Sequence, residues 1–392
     1  MPRTIIMLFI VILALGLAYG MHVNTLPLFA KNDVGATYAD LGHIGLVKFL
    51  PYVVIPLFVG VLLDRINNWY LLMLGILLHA IPLYMISTAA TVPEIIAYTL
   101  AIGIAHAFIW PPTESILSNY PKNRVRYLTL YLLIFTVGIM AGPAIGVAVL
   151  EVTDDDFRLL FQISAGVMLA SMCTTVLVRA QLPKVKHSVL TLKSFGTILR
   201  FPIVVGVVLF CTSVVGLLMT IYPAFLEDRG LDASAVLILY TISGATKVVG
   251  LVVVTKVHRF TEHILILSMV IVIMGMVISI VGTSFWHFAA AMVLLGLGTS
   301  SIYPISLEIM LSRTLPHLST KIIGASASLV GVGWLLGPLI GGHGAHASEQ
   351  IDVYWGFIIW GAITVVVSII FYKRLRVKNY RGGEWNAFPG DA

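Results

Sequence analysis

The chain has 392 residues, of which 59% are hydrophobic and 11% charged. Soluble proteins run near half apolar and a quarter charged, so this composition excludes a water-soluble globular protein and leaves lipid as the solvent. The net charge of +6 is dispersed between apolar runs instead of gathered on one soluble segment, which argues against a nucleic-acid partner.

A spanning helix needs about 20 mostly apolar residues. Twelve runs qualify: 4–29, 40–63, 69–90, 94–119, 125–150, 158–181, 201–226, 233–256, 263–282, 285–311, 320–342 and 352–373. Their continuity argues against barrel strands, which are shorter and alternate. The first run outlasts a cleaved leader and lacks its small-residue cleavage site, so it is read as the first span. It carries Tyr19, His22 and Asn24, then Pro27. The second holds His43, Gly45 and Lys48 and ends in Gly60-Val-Leu-Leu-Asp64-Arg65. The fourth holds Gly103, His106, Trp110, Pro111 and Glu114. The fifth contains Gly138-Ile-Met-Ala-Gly142-Pro143-Ala-Ile-Gly146.

After the sixth run, residues 182–200 form the longest stretch without a span and carry Lys184, Lys186 and Lys193. The seventh run contains Tyr222 and Pro223, the eighth Gly244 and Lys247, and the tenth Gly296, Tyr303, Pro304 and Glu308. The eleventh contains Gly333-Trp-Leu-Leu-Gly337-Pro338-Leu-Ile-Gly341. Cys173 and Cys211 lie inside apolar runs and give no disulfide framework.

The basic residues set the expected orientation. With the N-terminus inside, 19 of the 24 fall at cytoplasmic ends and loops, against three outside (Lys31, Arg158, Arg229). This is a strong positive-inside pattern with both termini cytoplasmic. The other two, Lys48 and Lys247, lie within runs.

The halves repeat. The pattern G-x-x-x-G-P-x-I-G recurs in runs five and eleven at an offset of 195 residues. Gly103 and Pro111 recur as Gly296 and Pro304 at 193, and Pro27 recurs as Pro223 at 196. Nearly one offset implies two parallel six-helix repeats related by an axis along the membrane normal. The expected division is an N-terminal bundle (1–181), a cytoplasmic linker (182–200), a C-terminal bundle (201–375) and a tail (376–392).

These residues resemble the major facilitator superfamily of secondary transporters. Gly60 through Asp64-Arg65 is similar to the family's loop between helices two and three, although Asn67, Asn68 and Trp69 replace its usual continuation. Trp110-Pro111 through Arg124 and Arg126, and the Gly-Pro segment of run five, are also similar to family patterns. The resemblance implies a twelve-helix all-α fold, rocker-switch alternating access around one central site, and no ATP. It also implies that Asp64 and Arg65 gate the inward face. Small residues at four-residue spacing favour close helix packing, so Gly138, Gly142, Pro143, Gly337 and Pro338 are expected to form a packing seam or hinge.

Lysine near mid-bilayer costs at least ~2.5 kcal/mol. Lys48 and Lys247 therefore face either a central site for an anion, a structural partner such as Glu114 or Glu308, or, by snorkelling, the interface. Glu114 and Glu308 are candidates for proton coupling or for gating pairs with Arg65, Arg124, Arg126 or Arg313. His22 and His106 read as cavity histidines, with proton or metal roles as alternatives. Tyr19, Asn24, Trp110, Tyr222 and Tyr303 complete the candidate lining. The expected protein is a monomeric, proton-coupled symporter or antiporter of a small organic anion in the cell membrane. It is expected to need no cofactor or metal. The alternative is an efflux pump for amphipathic compounds with walls such as Trp110, Met219 and Tyr303. No catalytic motif appears in the sequence, so an enzyme is not expected.

Overall fold

The computed structural model describes residues 3–55, 66–118, 124–177, 196, 198–256, 261–314, 319–347 and 350–375. Among them every long element is a helix. The first half comprises α1 (Arg3–Val23), α2 (Thr25–Asn32), α3 (Tyr38–Val54), α4 (Asn68–Ile86), α5 (Val92–Ser118), α6 (Arg124–Thr153) and α7 (Phe157–Leu177). The second comprises α8 (Pro202–Thr220), α9 (Tyr222–Asp228), α10 (Ala233–Lys256), α11 (Thr261–Val281), α12 (Phe285–Leu311), α13 (Ser319–Ala347) and α14 (Gln350–Ile370). Eleven spans among the described residues are long and apolar enough to cross a membrane. The expected second run is described as α3 over Tyr38–Val54 only. Residues 56–65, with Gly60, Asp64 and Arg65, lie outside the described residues, as do most of the linker and the tail.

Two spans differ from the continuous helices expected. The first breaks between α1 and α2 at Asn24, and the seventh between α8 and α9 at Ile221. The cause is the paired prolines. Pro27 has no N–H for the carbonyl of Val23, and Pro223 none for Met219, so each helix loses a hydrogen bond there. The eleventh span runs past its expected end at residue 342 to Ala347. At Gly342 α3 lies directly against it: a Cβ there would come 2.6 Å from the Tyr38 carbonyl oxygen.

The helix partnerships repeat between halves. In the first, α1 packs on α6, α3 on α5, α4 on α5, and α4 on α7. In the second, α8 packs on α13, α10 on α12, α11 on α12, and α11 on α14. The halves meet chiefly along α3–α13 and α6–α10, which are equivalent pairs exchanged by the pseudo-symmetry. Lipid gives no hydrophobic drive between helices, so backbone approach through small residues carries the packing. A Cβ on Gly142 would sit 2.5 Å from the Leu17 carbonyl oxygen and 2.7 Å from the Gly20 Cα. In the other half, a Cβ on Gly337 would sit 2.6 Å from the Leu217 amide nitrogen. Gly138 likewise meets Gly16. These glycines therefore weld helices within each half. Pro143 and Pro338 lie inside uninterrupted helices, and Pro338 also touches Gly45 of α3 across the halves.

Candidate functional site

Lys48 is 2% exposed. Its helix faces α13 through Gly45, which meets Pro338, while its backbone is pressed against Gly103 of α5. That leaves the side chain pointing inward over α1. The ammonium lies 5.2 Å from the Tyr19 ring centroid and 5.5 Å from that of Phe49, close enough for cation–π attraction. Among the described residues no carboxylate stands within 4.0 Å of it.

Tyr19 joins Lys48 to a group of buried imidazoles. Its ring centroid is 5.3 Å from His22 and 5.6 Å from His106. His79, on α4, completes the group at 5.2 Å from His22 and 5.0 Å from His106. His22 donates from Nδ1 to the Ala18 carbonyl at 2.7 Å. Among the described residues His22 Nε2, His106 Nε2 and both nitrogens of His79 have no hydrogen-bond partner. An aromatic wall continues from His106 to Trp110 at 5.9 Å and from Trp110 to Phe135 of α6 at 4.7 Å. On the other side of Lys48, Trp334 of α13 packs on Phe49 and Tyr52. Asn24 is buried at the α1–α2 break.

The remaining candidates fall elsewhere. Lys247 is half-buried. On α10, Gly244 faces Met140 of α6, while Ser243 and Thr246 face Gly296 of α12. At about 100° per residue, Lys247 falls on the shorter arc between those two neighbours, the inward one. It too has no carboxylate partner among the described residues. Nothing brings Lys247 into contact with Lys48. Glu114 and Glu308 are exposed. Glu114 lies within electrostatic reach of Tyr52, Tyr131 and, from the other half, Tyr303. Tyr222 does not join the site. It is fully buried, bonds Ser279 of α11 at 2.7 Å and stacks on Phe225.

The end of the bundle opposite the N-terminus is tied across the halves. Lys31 pairs with Glu227 at 3.2 Å and with Asp228, and Tyr38 donates to Asp228 at 2.7 Å. His43 rests on His343 at 4.8 Å. Nearby, Arg158 stands 3.7 Å from Asp33 and donates to the Ser87 carbonyl at 2.8 Å. Burial pushes the Asp33 carboxyl up from its usual range, Arg158 pulls it down and Asp156 pushes it up.

His79 was the residue missed. A lone histidine inside the third apolar run was its signal, equal in kind to His106, but nothing local showed that α1, α4 and α5 converge there.

The comparisons agree with this architecture. An MFS-type transporter of Mycobacterium tuberculosis strain H37Rv is 21% identical over 349 residues, covering 83% of this chain and 82% of its own. The quinolone resistance protein NorA of Staphylococcus aureus is 22% identical over 155 residues, 39% of this chain and 40% of its own. The crystal structure of the nucleoside transporter NupG superposes with a TM-score of 0.77 at 16% identity, covering 96% of this chain and all of that one. A bacterial homolog of the human lysosomal transporter Spinster, inward-facing and unoccupied, superposes at 0.67 with 18% identity and 95% of each chain. The family model for the Major Facilitator Superfamily matches residues 8–261, and the chain belongs to that family of membrane transporters.

Proposed function

We propose that this transporter carries a small organic anion by proton-coupled alternating access, with the anion held at Lys48 and Lys247 contributing from the opposite half. The observation that carries this reading is the buried ammonium of Lys48, which no carboxylate neutralises among the described residues. A buried charge needs a partner, and an anionic substrate supplies one. The flat surfaces of Tyr19, Trp110 and Trp334 around it favour an anion with an aromatic or extended apolar body. In this reading the chain works as a monomer with both termini cytoplasmic, its bundles span 1–181 and 201–375, and the cross-half ties at Lys31 close its outer end. Asp64 and Arg65 gate the inner end.

A second reading is efflux of amphipathic compounds, favoured by the same aromatic wall and by the partial match to NorA. A thermal-shift screen separates the two, because a ligand that binds the native state stabilises it by mass action. Carboxylates, sulfonates and phosphate esters would be compared with amphipathic cations of matched size. Stabilisation by anions, lost in Lys48→Met, supports the first reading. Stabilisation by cations alone supports the second.

A further inference from the structure

We propose that His22, His79 and His106 form the proton-binding site of this transporter and that its occupancy is locked to anion binding at Lys48. The inference rests on the anion reading above and assigns its coupling ion to named groups, one of which, His79, lies away from the anion's own contacts.

The cluster is built from three helices of one half: α1, α4 and α5. His22 and His79 are each 1% exposed and His106 3%. Four of their six ring nitrogens have no partner among the described residues. Buried polar atoms are ordinarily satisfied, and leaving them bare costs about 1–3 kcal/mol each. Because the Ala18 carbonyl can only accept, His22 Nδ1 carries the hydrogen and, in the neutral ring, Nε2 keeps its lone pair. The centroid steps of 5.2 Å and 5.0 Å through His79 bring each pair of rings within one N–H···N hydrogen bond on ring rotation. The group therefore takes up a proton as one N–H bond on a vacant lone pair and shares it by hydrogen bonds.

A metal is the competing occupant. No group of three His, Cys, Asp or Glu among the described residues is arranged to hold one.

The surrounding charges determine when the proton binds. Lys48 of α3 stands one ring away from the cluster, its ammonium 5.2 Å from the Tyr19 ring, which lies 5.3 Å from His22 and 5.6 Å from His106, and Tyr19 of α1 is itself the other titratable neighbour. From α6 the cluster's aromatic wall is met by Phe135. On α7, Arg158 is engaged at the far end with Ser87 and Ala89, and Cys173 is exposed. Glu114 of α5 is exposed two turns beyond His106. A charged Lys48 thus opposes protonation of the histidines, since like charges in a buried site repel strongly. An anion on Lys48 removes that opposition. By reciprocity the proton strengthens anion binding by the same factor. One monovalent anion and one proton then move together as a neutral pair. The proton enters from water on one side and leaves to water on the other.

The test is proton linkage on the full-length protein in detergent, with the anion that gives the largest thermal shift as the probe. Affinity is measured by calorimetry across pH, and proton uptake by an indicator dye in weak buffer. The wild type should take up one proton per anion, its affinity falling about tenfold per pH unit upward, the slope that one linked proton gives. His79→Gln should flatten that slope and abolish the uptake, whatever its absolute affinity. Glu114→Gln should retain the slope. His106→Gln serves the same purpose if His79→Gln does not assemble. A flat wild-type profile, or a tenfold slope kept in both histidine variants, overturns the proposal and leaves the anion reading standing. If no anion binds at any pH, the anion reading itself fails and this inference fails with it.

Discussion

Replacing Lys48 with methionine should leave the folded protein about as stable as before. The substitution keeps the unbranched length that fills the space between Tyr19 and Phe49 and removes a charge that is 2% exposed. A lysine at this depth costs roughly 2.5–3.5 kcal/mol on insertion scales. Part of that is returned by the two ring contacts, each worth about 0.5–2 kcal/mol. The net change for Lys48→Met is therefore small, between about −1.5 and +2.5 kcal/mol without ligand. A structural ion pair predicts a large loss instead, because removing one partner of a buried pair strands the other and costs about 3–5 kcal/mol. Thermal unfolding in detergent, read by a thiol-reactive dye or by loss of monodisperse protein, decides between them. A loss of stability near 3 kcal/mol would refute the assignment of Lys48 to substrate.

Four further outcomes are expected. Gly142→Leu should destabilise the first half by about 1–3 kcal/mol through overpacking, because its Cβ would fall 2.5 Å from backbone that cannot step aside; detergent melts check it. Lys31→Glu should loosen the outer end by setting like charges against Glu227 and Asp228. Exposed pairs are worth only about 0–1 kcal/mol, so the readout is faster labelling of a cysteine at position 38, not stability. Tyr222→Phe should lose about 0.5–1.5 kcal/mol with its Ser279 hydrogen bond while leaving transport kinetics intact. Lys247→Met should weaken anion binding less than Lys48→Met, since Lys247 is only half-buried while Lys48 is 2% exposed; calorimetry on the two variants checks the order.

The fold was legible because its causes are local. Apolar runs of span length and the twin Gly-Pro segments at Pro143 and Pro338 act through the bilayer or through backbone approach, and each is written in contiguous residues. The breaks at Asn24 and Ile221 were also local, but their signal was the missing N–H of Pro27 and Pro223, read instead as a marker of repetition. The site was legible in part. Lys48 stood out because charge inside an apolar run is expensive wherever it points. The Ser279 partner of Tyr222 was not legible, because a polar-tipped ring inside a span fits a cavity or a hydroxyl partner equally well. His79 was overlooked because convergence of α1, α4 and α5 is a tertiary fact.

The central claim is that Lys48 holds the transported anion, and counterflow in proteoliposomes tests it most directly. Wild-type protein loaded with unlabelled anion should accumulate the labelled anion, while Lys48→Met should lose about 10–100-fold in kcat/KM, the equivalent of one charge-assisted contact of roughly 1.5–3 kcal/mol. Counterflow by Lys48→Met at the wild-type rate and concentration dependence would contradict the account.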